Sequence, residues 1–161
     1  MKKTIIFLFL SIIFISCKSS SSAVNKKESK RENKTLVSNL IETATDNIGI
    51  RYKAAGTNKN GFDCSGLVYS TFASENITLP RSSYDQAKIG KIIKLNDAKK
   101  GDLIFFKTNK SKQINHVGLI VEINKEEIKF VHSSTSKGVI ISSTKEAYYK
   151  NSLVQINRII E

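Results

Sequence analysis

At Gly101 the hydrophobic pattern of this chain changes period, and that change decides which folds are open to it. Before it, apolar residues recur at helical spacing. Leu36, Val37, Leu40, Ile41, Ala44 and Ile48 fall three and four apart, with Gly49 as a stop, and predict a helix. Leu67, Val68, Phe72 and Ala73 predict a second over Cys64–Glu75, with Asp63 or Ser65 as its cap and Asn76 as its exit. An irregular loop from Arg51 to Gly61 separates them. Pro80 breaks the chain, and Ser82–Ile89 is expected to form a short helix. After Gly101 come short β-branched or aromatic runs: Asp102–Phe106, His116–Ile123, Ile128–His132, Val139–Ser142 and Val154–Ile160. Helices first and strands later predict an α+β domain, with the helices packed on an antiparallel sheet.

The N-terminal part has a different character. Lys2 and Lys3 precede an apolar run, Ile5–Ile15, broken only by Ser11. The run is short for a membrane span and has the layout of an export signal. Phe14-Ile15-Ser16-Cys17 is similar to a bacterial lipobox, which would make Cys17 the diacylated first residue of the mature protein. An uncleaved anchor and an ordinary signal peptide are the alternatives. Lys18–Lys34 holds five Ser, several Lys and no large apolar residue except Val24. That composition buries too little surface to fold and predicts a flexible tether. The expected organisation is a signal at 1–16, a lipidated tether at 17–35 and one domain at 36–161.

Net charge is +12 over the chain, but residues 36–161 carry only +6, from 18 Lys and Arg against 12 Asp and Glu. Nucleic acid is not expected as a partner, since an exported chain rarely meets it and no aromatic-basic RNA-binding motif is present. A basic surface suits an anionic polymer or anionic lipid; a merely solvated lysine-rich surface is the plainer alternative.

Two cysteines are present, and Cys17 belongs to the export signal. Cys64 is therefore a lone thiol in a compartment where thiols are oxidised, which calls for a use. His116 and His132 are the two histidines of the chain. Cys64 at a helix N-terminus would have its thiolate favoured by free N–H groups and the helix dipole. On adjacent antiparallel strands, His116 at the start of one run and His132 at the end of the next would meet at one end of the sheet. His116 would then act as base and His132 as its orienter. Cys64 as a small buried hydrophobe and the histidines as structural residues stay open. With no cysteine pair or close histidine spacing, neither a zinc site nor another cofactor is expected.

Four segments carry a resemblance. Asp63-Cys64-Ser65-Gly66-Leu67-Val68, Leu79-Pro80-Arg81-Ser82-Ser83, Gly101-Asp102-Leu103-Ile104-Phe105-Phe106 and His116-Val117-Gly118-Leu119-Ile120-Val121 follow the order seen in the NlpC/p60 family of cell-wall cysteine peptidases. The stretch from Leu36 to Glu161 resembles that family throughout. The resemblance implies a papain-like domain with rearranged chain order. It implies cleavage of peptidoglycan stem peptides, at the bond between D-glutamate and the diamino acid or at a cross-link. It makes Cys64 the nucleophile, His116 the base and His132 the polar orienter. Tyr52 matches a tyrosine that lines the site and polarises the scissile carbonyl. Asp63, Ser65 and Ser83 match positions that meet the stem peptide, and Asn115 stands where serine is frequent. The family usually has two glycines after the tyrosine; this chain has Ala55-Gly56.

The expected function is thus a peptidoglycan endopeptidase working through a cysteine thioester, monomeric and lipid-anchored through Cys17 in the bacterial cell envelope, at the outer membrane or periplasmic face. A non-catalytic peptidoglycan-binding lipoprotein and a thiol acyltransferase on the same fold are the alternatives.

Overall fold

The computed structural model describes residues 21–161; the expected export signal and Cys17 lie outside the described residues. Helix α1 spans Ser21–Thr45 and is followed by a two-stranded ribbon, β1 (Thr57–Asn58) and β2 (Gly61–Phe62). Helices α2 (Cys64–Ala73) and α3 (Ser83–Gln86) come next. Then come β3 (Lys91–Ile92), β4 (Leu103–Phe106), β5 (His116–Ile123), β6 (Ile128–Ser134), β7 (Gly138–Ser143), α4 (Ala147–Ser152) and β8 (Leu153–Arg158). The six strands from β3 onward form one antiparallel sheet in the order β3-β8-β4-β5-β6-β7. The α+β expectation holds, and the five strand runs after Gly101 all pair as strands.

The central strands β4, β5 and β6 divide their side chains between two cores, because successive residues point to opposite faces. Leu103, Phe105, Val117, Leu119, Val131 and Val139 meet Leu40 and Ala44 of α1 and Leu67, Val68 and Phe72 of α2. Ile104, Phe106, Ile120, Phe130 and Ile156 turn the other way and gather around Tyr149 of α4. The central strand β4 is buried on both faces, so Leu103-Ile104-Phe105-Phe106 reads as an unbroken apolar run. Phe72 is fully buried, worth about 1.5–3 kcal/mol relative to an exposed ring.

One segment departs from expectation. The stretch assigned to a flexible tether is helical from Ser21, and α1 runs without a break across the boundary drawn at residue 35. Gly and Pro are absent from the whole of α1, while Lys, Arg, Glu and Ala are good helix formers. Low apolar content does not remove the local preference for helix. Among the described residues no helix is long and apolar enough to cross a membrane.

Two glycines allow the layers to close on the site. A Cβ at Gly66, in the first turn of α2, would stand 1.9 Å from the Gly56 carbonyl oxygen, so the loop before β1 can touch α2 only over a glycine. A Cβ at Gly118 on β5 would stand 2.6 Å from Phe130 and 3.4 Å from the Cβ of His132, so a larger residue there would crowd the imidazole.

Candidate active site

Cys64 is the first residue of α2, and Asp63 caps the helix by accepting the Gly66 N–H at 2.6 Å. The half-buried thiol lies 3.9 Å from the main-chain carbonyl of Asn115, the residue before His116. Sheet register brings the histidines together. Leu119 pairs with Val131 and Phe106 with His116, so the start of β5 lies beside the end of β6. His116 Nε2 stands 2.9 Å from His132 Nδ1, with the rings nearly perpendicular at 82°. Both belong to the face carrying Phe106 and Phe130, whose rings lie 5.9 Å from His116 and 5.1 Å from His132 respectively.

His132 is fully buried, and its second nitrogen is also engaged. Nε2 lies 3.1 Å from the Ser142 hydroxyl and 3.3 Å from the Tyr149 phenol. For His116 to take a proton at Nδ1, its Nε2–H must donate to His132 Nδ1. His132 then carries its own proton on Nε2, where Ser142 or Tyr149 accepts it. The network therefore holds His116 with Nδ1, which makes no hydrogen bond within the described residues, as its free base nitrogen.

Burial governs the protonation of the site. It lowers His116 to about 4 and, with a further push from His116, His132 to about 3. The Cys64 thiol is raised, first by burial and then by the Asp63 carboxylate. Backbone N–H groups of Val117, Ser65 and Cys64 itself pull the other way without prevailing. The expected lowering at the helix N-terminus is thus present but outweighed: the amides favour the anion, while the dry surroundings and the adjacent carboxylate favour the neutral thiol. Transfer of the thiol proton to His116 creates a pair of opposite charges that offset one another.

Asp63 is held from the other side by Arg81. Nη2 meets Asp63 Oδ2 at 2.6 Å and Nη1 meets Oδ1 at 3.0 Å, while Nη1 also donates to the Ser65 hydroxyl at 3.0 Å. Hydrogen bonding to Asp63 raises the Arg81 guanidinium. Arg81 was missing from the candidate residues; its signal was its place in Leu79-Pro80-Arg81-Ser82-Ser83, but nothing in the spacing pointed it at Asp63. Gln86, fully buried, is a second omission: its amide donates to the carbonyls of Ser65 at 3.1 Å and Pro80 at 2.8 Å, tying α3 to the first turn of α2.

Tyr52 is bridged to Phe62 and comes to the same place. Burial, then the charges of Asp63 and Cys64, raise its phenol, so it stays a neutral donor near both groups. Ala55, in the loop behind it, has a φ of 57°, the left-handed region that a second glycine would enter freely. Ser83 is buried at the start of α3, whose cap is its neighbour Ser82. Asn115 is turned away: its side-chain oxygen accepts from the Thr108 N–H at 2.8 Å and its amide donates to the Thr108 carbonyl at 3.2 Å. It offers the thiol its carbonyl and spends its side chain closing the loop between β4 and β5. Among the described residues no cluster of three or more His, Cys, Asp or Glu side chains is placed to hold a metal ion.

The chain matches the model of the NlpC/P60 family over residues 49–158. It is 37% identical over 129 residues to a protein of Escherichia coli (strain K12) named murein DD-endopeptidase MepS/murein LD-carboxypeptidase; the match covers 80% of this chain and 65% of that protein. It is 35% identical over 161 residues, 98% of each chain, to a probable endopeptidase of Haemophilus influenzae. A crystal structure of an NlpC/P60 family protein from Bacillus cereus superposes with a TM-score of 0.71 at 30% identity, covering 78% of this chain and 40% of that one.

Proposed function

This chain belongs to the NlpC/P60 family, and we propose that it is a cysteine peptidase that hydrolyses an amide bond in the stem peptides of peptidoglycan. The observation that carries the reading is the contact of His116 with His132 at 2.9 Å beside a thiol at a helix start. The names of the E. coli and H. influenzae relatives support the same class.

His116 Nδ1 takes the thiol proton as Cys64 Sγ attacks the scissile carbonyl carbon. The carbonyl oxygen becomes an oxyanion, met by the Cys64 backbone N–H at the start of α2 and by the Tyr52 phenol. His116 returns the proton to the departing amine, leaving a thioester on Cys64. Water, deprotonated by His116, then attacks the thioester; the stem carboxylate leaves and the thiol is restored. His132 keeps His116 in the required tautomer. On the acyl side the peptide runs over Tyr52, Ser65 and Ser83, with Asp63 and Arg81 fixing the floor. The cleaved bond lies between D-glutamate and the diamino acid, or at a cross-link. Diacylated Cys17 would hold the enzyme at the envelope membrane beside its polymeric substrate.

The test is incubation of the purified full chain with isolated sacculi and with stem peptides, followed by mass spectrometry of the products. Release of new peptide termini by the wild type and none by Cys64→Ala supports the reading. Tight binding with no product from either would show a peptidoglycan-binding protein instead.

A further inference from the structure

Beside His116 lies a cavity of about 280 Å³, whose lining includes neither Asp63 nor Arg81. His116 and Ser142 line it together with Asn109 from the loop after β4, the β6–β7 turn carrying Lys137, and Glu146 and Tyr148 at the start of α4. Its size is near the lower end of ligand cavities, which span about 300–1,000 Å³, and suits one side chain better than a whole peptide.

The chemistry decides which side chain. His116 hands its proton to the leaving amine, so the residue that owns that amine must lie on the His116 side. In a stem cut after D-glutamate, and in a cross-link cut after D-alanine, that residue is the diamino acid. The cavity also presents two charges of opposite sign. Lys137 is exposed on its turn, and neither it nor Glu146 belongs to an ion pair among the described residues. Glu146 is held in place by the Ser143 N–H at 2.8 Å, and Tyr148 is braced by Asn109 at 3.0 Å. Half-buried His116, lowered to about 4 by desolvation, adds no charge of its own near neutral pH.

We propose that this cavity is the subsite for the side chain of the diamino acid, and that Lys137 and Glu146 make it selective for a diaminodicarboxylate over lysine. This rests on the peptidase reading above. The far end of diaminopimelate is an amino-carboxylate: Glu146 takes its ammonium and Lys137 its carboxylate. A lysine side chain brings only an ammonium, which Glu146 attracts and Lys137 repels.

The experiment measures kcat/KM of the full chain on three stem tripeptides whose third residue is meso-diaminopimelate, the same residue amidated at its far carboxyl, or L-lysine. The wild type is expected to prefer free diaminopimelate by about five- to tenfold, the scale of one attraction kept and one repulsion avoided at a solvated site. Lys137→Ala should bring the ratio close to one. Glu146→Gln, which keeps an acceptor for Ser143, should instead slow all three substrates that bear an ammonium. Binding of the same tripeptides to Cys64→Ala, followed by calorimetry, separates the pocket from the chemistry. No turnover by the wild type together with preferential binding by Cys64→Ala would sink the peptidase reading and leave the pocket standing. Equal handling of all three peptides in both measurements, or a preference that survives in Lys137→Ala, overturns the proposal.

Discussion

Acidification should switch the proposed peptidase activity off far below the pH at which an ordinary imidazole titrates. His116 is lowered from 6.5 to about 4 by burial alone, a displacement of ~2.5 units, or roughly 3 kcal/mol at 1.36 kcal/mol per unit. The catalytically competent dyad carries one proton in total, shared between Cys64 and His116. Adding a second proton fills the base, and that happens at the His116 value. The acid limb of kcat/KM should therefore fall near pH 4, while the raised thiol keeps the alkaline limb high. Stability follows the same group. The unfolded chain binds a proton at about 6.5 and the folded chain only near 4, so the unfolded state holds more protons between those values. The stabilisation is fully present above pH ~6.5 and is lost as pH falls toward 4, with His132 extending the loss toward 3. The assay is a kcat/KM profile on a stem peptide from pH 3 to 10, with urea unfolding at several pH values between 4 and 7. An acid limb near 6.5, with no loss of stability between 6.5 and 4, would refute the argument that the histidine pair is dry and uncharged.

Replacing Cys64 by Ala should abolish hydrolysis without unfolding the domain, and His116→Ala should lower kcat by about 10³-fold or more; His132→Ala should be milder, on the order of 10²-fold. Turnover on stem peptides, with circular dichroism as the control for folding, reads all three. Ser142→Ala leaves His132 Nε2 with only the Tyr149 phenol at 3.3 Å, and should cost several-fold in kcat while Ser142→Thr restores it; equal effects of the two substitutions would point to packing rather than to the hydroxyl. Arg81→Ala strands the Asp63 carboxylate, a partly exposed pair, and should destabilise by about 1–2 kcal/mol in urea unfolding while raising KM. Ala55→Gly removes a left-handed non-glycine residue and should stabilise by about 0.5–1 kcal/mol, less than the full strain because glycine also loosens the unfolded chain; an unchanged urea midpoint would show that the loop carries no strain.

Local pattern was enough to place the elements that bear the proposed catalytic residues. The period change at Gly101 separated helices from strands, because 3.6-residue and 2-residue repeats are properties of neighbouring residues. Asp63 could be read as a cap and Cys64 as a helix start for the same reason, and indeed Asp63 accepts the Gly66 N–H. Even the pairing of His116 with His132 followed from two adjacent antiparallel runs. Local preference also corrected the sequence reading in one place: α1 is helical through a segment of low apolar content, because its backbone meets no Gly or Pro. What could not be read locally were contacts between residues far apart in the chain. Arg81 reaches Asp63 across 18 positions, and Tyr149 reaches His132 across 17 through a helix, α4, with no apolar repeat to announce it. The thiol's protonation depended on the tertiary structure as well. A helix N-terminus argues for a lowered value, but the depth of burial and the nearness of a carboxylate exist only once the layers have closed, and these decide the direction.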